Sequence, residues 1–187
     1  MSRHLELAEL MAGVPDIAKA PADNGVLRAI VIRPKARMRE EVDSCQISLA
    51  GGLEGDNWAK GCWKTTSEGR PHPDVQVCVM NARVIDLVAA GERENWAPAG
   101  DSFFVDFDVS TENLRAGQRL AIGTAIIEIT AEPHDGCAKF TKRYGRDATM
   151  FVNHKDFRSM RLRGVYARVV QDGRVSAGDR IVKVASP

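Results

Sequence analysis

Apolar side chains alternate with polar ones in stretch after stretch of this chain. Cys45, Ile47 and Leu49 alternate with Ser44, Gln46 and Ser48. Val75, Val77 and Val79 flank Gln76 and Cys78, and Phe103, Val105, Phe107 and Val109 share a run with Ser102, Asp106 and Asp108. A period of two describes strands with one buried face. Val26–Ile32 adds a β-branched run that stops at Pro34. Gly123-Thr124 separates Leu120–Ile122 from Ala125–Thr130, and Asp172-Gly173 separates Val165–Val170 from Val175, so two hairpins are expected. Helical signals are fewer. Residues 3–20 suggest a short helix and a tail, and Asn81 can cap Ala82–Ala90 before Gly91. Two more short helices are expected, over Cys137–Tyr144 ending at Gly145 and over Asp147–Asn153. Many short strands with few helices predict an all-β fold, a closed or partly closed β-barrel with a few short peripheral helices. The Ala20–Gly25 turn divides the chain into a helix and linker at 1–25 and a barrel domain at 26–185.

The 26 Lys and Arg residues nearly balance the 25 Asp and Glu, which argues against a nucleic-acid partner. No apolar run exceeds four residues, so a membrane span is not expected. Glu6 and Glu9 interrupt the region where a signal peptide needs an apolar stretch, which predicts a cytoplasmic protein. Cys45, Cys62, Cys78 and Cys137 show no C-x-x-C spacing, so four reduced thiols are expected.

One segment gathers chemistry. Cys137 falls where a turn gives way to a helix, and amides at a helix start favour a thiolate. Between Asp135 and Arg146, Lys139, Lys142, Arg143 and Arg146 face only Asp135, a setting for an anion such as a phosphate. A solvated basic helix face beside a buried thiol is the plainer reading. His134 lies three residues before Cys137. The glycines of Gly51–Gly55 precede Asp56 and Asn57 on a tight loop, and His72 sits between two prolines. The chain has no G-x-S-x-G elbow, phosphate-binding P-loop or H-E-x-x-H.

These segments carry a resemblance. Gly52-Leu53-Glu54-Gly55-Asp56, Gln76–Asn81, Glu112-Asn113-Leu114, Gly117–Gly123, Glu132–Phe140, Arg163–Val169 and Val175–Val184 occur in an order that resembles the MOSC domain, the C-terminal module of molybdenum cofactor sulfurases. The resemblance implies a β-barrel that binds the molybdenum cofactor (molybdopterin), with Cys137 as the metal ligand. It implies cofactor contacts from Asn57, Asn81, Asn113, Lys139, Lys142, Arg143 and Arg163. Many members read Arg-His where this chain has Asn57-Trp58, which removes a cation and an imidazole. The activity implied is reduction of a small N-hydroxylated substrate. His134 or Asp56 would supply the proton, and an external electron-donor protein the electrons. The alternative is a non-catalytic module that carries a persulfide on Cys137, or transfers cofactor, between a sulfur donor and an acceptor protein. An interaction module with an inert Cys137 is the third reading.

Overall fold

The computed structural model describes residues 3–185. Eleven strands run in chain order. They are β1 (Gly25–Ile32), β2 (Glu40–Val42), β3 (Ser44–Ser48), β4 (Gly52–Leu53), β5 (Val77–Asn81), β6 (Phe103–Asp106), β7 (Arg119–Ile122), β8 (Ala125–Ile129), β9 (Val165–Gln171), β10 (Gly173–Ser176) and β11 (Arg180–Val184). Seven of them close a barrel in the order β11-β7-β8-β9-β5-β6-β1, sealed by pairing of β1 with β11. β5 and β6 pair in parallel, whereas the other barrel neighbours are antiparallel. β2 adds to the outside edge of β1, and β10, β3 and β4 form a small second sheet. The expected closed barrel is therefore what this chain forms.

The barrel interior holds Leu27, Ile30, Val79, Phe103, Ile127 and Ala167, all nearly inaccessible to solvent. The outer faces of β1, β5 and β6 are buried too. Ala29, Val31, Met80 and Phe104 pack there against helices. Burial on both faces is why Ala29–Ile32 reads as a continuous apolar run rather than an alternating one.

Among the described residues five α-helices lie around the barrel: α1 (Leu7–Ala12), α2 (Val14–Ile17), α3 (Trp58–Gly61), α4 (Ala82–Val88) and α5 (Ala138–Val152). Asn81 caps α4 by accepting from the Arg83 N–H at 2.8 Å, as expected from its sequence position. The expected break in the third helical region is present: α5 is kinked at Gly145, whose φ of 89° suits glycine alone. Phe140, Tyr144, Ala148, Phe151 and Val152 face inward from α5. α1 and α2 join the same outer layer through Leu10 and Ile17. The Leu7 N–H donates to Asp147 at 2.9 Å, tying α1 to α5.

Three strands are shorter than their alternation suggested: β3 stops at Ser48, which leaves Leu49 exposed in a turn. Val75 lies in a single turn, Pro73–Val75, that His72 caps through Nδ1. Phe107 and Val109 remain buried beyond the end of β6, where the Asn81 side chain donates to the Phe107 carbonyl instead of a strand neighbour.

Candidate functional site

The strand-to-helix loop after β8 delivers Cys137 to the N-cap of α5, with extended backbone angles. Asn153 fastens this loop: its Oδ1 accepts from the Gly136 N–H at 2.7 Å, and its Nδ2 donates to the Gly136 carbonyl at 3.1 Å. An ion pair between Lys64 and Glu132 ties the loop to the 62–72 segment. Cys137 is exposed. Partial burial raises its thiol, but the amides of Lys139 and Phe140, aimed at the sulfur without closing a cap hydrogen bond, outweigh that. The charges of Arg163 and Lys139 add to them, so the thiol is held below the ordinary cysteine range. Burial pushes Cys45 and Cys78 the other way, each up to about 11.

Beneath the loop lies a buried polar cluster. Nη1 of Arg163 donates to both oxygens of Asp101, at 2.9 and 2.7 Å, and Nη2 donates to the Ala99 carbonyl at 3.3 Å. The Arg163 guanidinium lies 4.9 Å from the centre of the Phe140 ring, so the first turn of α5 roofs it. Gly164, at φ 103°, lets this chain segment pass β5; a Cβ there would lie 2.3 Å from the Val79 carbonyl oxygen. His134 stacks on Tyr166 with ring centres 4.3 Å apart, and its Nδ1 stands 3.8 Å from Asp101 without a hydrogen bond. Burial, followed by the nearby Arg163 and Arg33 charges, pushes the imidazole well below the usual histidine range. His134 is neutral at pH 7.

A second acid, Asp56, is equally enclosed. Its oxygens accept from the Arg33 N–H, Nε and Nη2 at 2.8, 2.8 and 3.0 Å, and from the Trp58 N–H at 2.8 Å. Asp56 therefore fixes Arg33 and has no free oxygen facing solvent. Arg39 and Arg143 differ. Their guanidiniums converge over Gly100, 3.2 and 3.6 Å from where a Cβ would project, and neither forms an ion pair among the described residues. Burial, then the charges of Arg143 and Arg33, lowers the pKa of Arg39. Arg39 Nε is buried without a partner. Asp56 and Asp101 act on Arg39 only at a distance, and two crowded guanidiniums with no ion-pair partner of their own form a cradle for an anion.

The sequence candidates separate in space. Cys137, His134, Lys139 and Arg163 come together, and Arg143 stands on the same helix at the arginine cradle. Asn57 stands at the N-cap position of α3 without a side-chain cap hydrogen bond, and its N–H donates to the Arg33 carbonyl at 3.0 Å. Lys142 is exposed on α5. Asn81 braces α4, and Asn113 donates to the carbonyls of Ala22 and Asp108 at 2.9 and 2.6 Å, so both side chains are engaged within the fold. Sequence reasoning missed Arg33, Arg39, Asp101 and Tyr166. A cavity of about 250 Å³ is lined by His134, Arg158, Arg161 and the 130–135 loop, but not by Cys137.

Among the described residues, no group of three or more His, Cys, Asp and Glu side chains could hold a metal. A metal at Cys137 would thus rely on donors that a cofactor brings. No helix among the described residues is long and apolar enough to cross a membrane.

The fold has counterparts among solved structures. One is a crystal structure described as a hypothetical protein, with TM-score 0.57, 19% identity, and coverage of 87% of this chain and 70% of that one. The YuaD protein of Bacillus subtilis matches with TM-score 0.56 and 15% identity, over 84% of this chain and 94% of its own. YiiM from Escherichia coli matches with TM-score 0.53 and 20% identity, over 86% and 70%. At these identities the likeness concerns the fold. No curated protein matches the sequence. The sequence profile of the MOSC domain matches residues 66–182, from the 62–72 segment through β11 and including Cys137. The chain belongs to the MOSC domain family.

Proposed function

We propose that this protein holds a molybdenum cofactor with Cys137 as thiolate ligand and reduces small N-hydroxylated compounds. The observation that carries the reading is the pairing of an exposed, thiolate-favouring cysteine with two converging arginines that form no ion pair among the described residues. Arg39 and Arg143 would hold the cofactor's phosphate. Lys139 and Arg163 would stabilise the sulfur's negative charge. A thiolate is a soft donor suited to such a metal. When bound, the cofactor supplies a centre that accepts oxygen and passes two electrons.

The chain's own groups do the rest. Cleaving the N–O bond of R–NHOH takes two electrons and two protons and gives R–NH2 and water. His134, neutral and close to Arg163, can pass a proton through its ring but cannot store one as imidazolium at pH 7. Asp56 acts by orienting Arg33. Trp63 is 69% exposed beside Tyr166, with ring centres 6.5 Å apart, and offers an apolar wall next to the site. The electrons come from an external donor protein.

The test is metal analysis of protein purified from a host that makes the cofactor, with Cys137→Ser alongside. About one molybdenum per wild-type chain and none in the variant is expected. Stoichiometric sulfur on Cys137 without molybdenum would replace this reading with the sulfur-carrier alternative.

A further inference from the structure

We propose that the cavity of about 250 Å³ beside His134 is a binding site for a small carboxylate with an apolar body, separate from both Cys137 and the arginine cradle. The site needs neither a metal nor the Cys137 thiol.

Three stretches enclose it: the 130–135 loop after β8, the end of α5 with the 3₁₀ turn Lys155–Met160, and residues 161–165 leading into β9. Val152, Phe157, Leu162 and Val165 give it an apolar wall. Neither Cys137 nor Arg39 nor Arg143 lines it. Small-molecule sites usually measure roughly 300–1,000 Å³, so this one suits a small ligand.

The polar part of the wall is rich in donors and poor in acceptors. Arg161 Nη1 donates to the carbonyls of Val109 and Leu114, at 3.5 and 2.8 Å, which holds the guanidinium in place without an ion-pair partner. Burial lowers its pKa, and Glu112 acts on it only at a distance. Its backbone takes φ 49°, a left-handed conformation that costs energy for a residue with a side chain. Arg158 is exposed and forms no ion pair among the described residues. His154 accepts from the Asp156 N–H at 3.3 Å and stands 3.9 Å from that carboxylate. Of the two acids that line the cavity, Glu132 is held by Lys64 and Asp135 is exposed.

His134 and Arg163 line the cavity as well, each with a side chain 7% exposed. Nδ1 of His134 and Nε of Arg163 are nonetheless buried without a hydrogen-bond partner. The Arg163 Nε always carries a proton, so what it lacks is an acceptor, and leaving such a donor unmade is costly. Asp101 already balances the Arg163 charge, so the positive excess at the cavity rests on Arg158 and Arg161. A carboxylate supplies acceptor oxygens and a planar group that matches a guanidinium. An apolar body occupies the Val152 and Phe157 wall, which a bare phosphate would leave unused.

The probe is benzoate, titrated calorimetrically into the purified protein in phosphate-free buffer. A Kd of about 1 mM or tighter is expected. Benzamide, its neutral isostere, and acetate, which lacks the apolar body, should each bind about tenfold more weakly or worse. Arg158→Glu, which breaks no ion pair, should weaken benzoate about tenfold. Arg39→Leu should bind benzoate as wild type does. Benzoate should also shift the ring signals of His134 in nuclear magnetic resonance spectra, assigned by their loss in His134→Gln. No benzoate binding, equal binding of benzamide or acetate, full affinity in Arg158→Glu, or unmoved His134 signals each overturn the site. Loss of binding in Arg39→Leu overturns it too, by moving the carboxylate to the cradle. Molybdenum content plays no part in these readouts, so failure of the cofactor reading is recognised separately.

Discussion

The imidazole of His134 lies 4.3 Å from the ring of Tyr166 and is tilted 32° to it, with its Nδ1 3.8 Å from Asp101. This packing keeps the ring neutral in the folded state, whereas the unfolded chain takes up a proton near the usual histidine value of about 6.5. A depressed folded pKa contributes stability that is fully present above the unfolded value and is lost as pH falls below it. Urea unfolding between pH 5 and 8 should therefore show a slope below pH 6.5 of at most about 1.4 kcal/mol per pH unit from this residue. His134→Gln should flatten that slope; an unchanged slope would show that another group is responsible.

Asp101→Asn tests the buried pair below it. Asp101 is inaccessible to solvent and Arg163 nearly so. Removing the carboxylate charge strands a guanidinium, at an expected cost of about 3–5 kcal/mol in urea unfolding. Replacing both residues with apolar ones of similar volume should recover much of that loss, because a buried pair often contributes little beyond its mutual compensation.

Thiol reactivity should rank the cysteines. Cys137 should alkylate with iodoacetamide fastest at neutral pH, with its rate levelling off below the ordinary thiol range. Cys45 and Cys78, buried and pushed up to about 11, should resist until the protein unfolds. Mass spectrometry assigns the sites. Parity between Cys137 and Cys78 would remove the chemical basis for a ligand thiolate.

Arg39 should reveal the cradle without any cofactor. Wild-type Tm should rise with inorganic phosphate, since an anion that binds only the folded state stabilises it. Arg39→Leu should lose that dependence and, with one crowded charge gone, be no less stable than wild type in phosphate-free buffer. A phosphate response equal to that of wild type would place the anion elsewhere.

Strands were legible wherever one face meets the core, as along Ser44–Ser48 of the small second sheet, because alternation is the direct trace of that geometry. The thiol at a helix start was legible too, since Cys137 and the cations that follow it are neighbours in sequence. Arg33, Arg39 and Asp101 were not. Each sits in a loop where a charged residue is ordinary, and only the pairing of β1 with β6 and the packing of α5 over them bring these segments together. Asn113, a polar residue within a family motif, also serves the fold, donating to the backbone of Ala22 and Asp108, which sequence position alone does not reveal.

The seam between β1 and β11 sets an order of events during synthesis. The first barrel strand waits for the last, so the ring stays open until Arg180–Val184 has left the ribosome. Until then Gly25 and Val26 on β1 and Arg119–Ile122 on β7 present unpaired strand edges. Such edges recruit other chains, which makes a stalled or truncated product prone to aggregate and gives chaperones a defined interval in which to act.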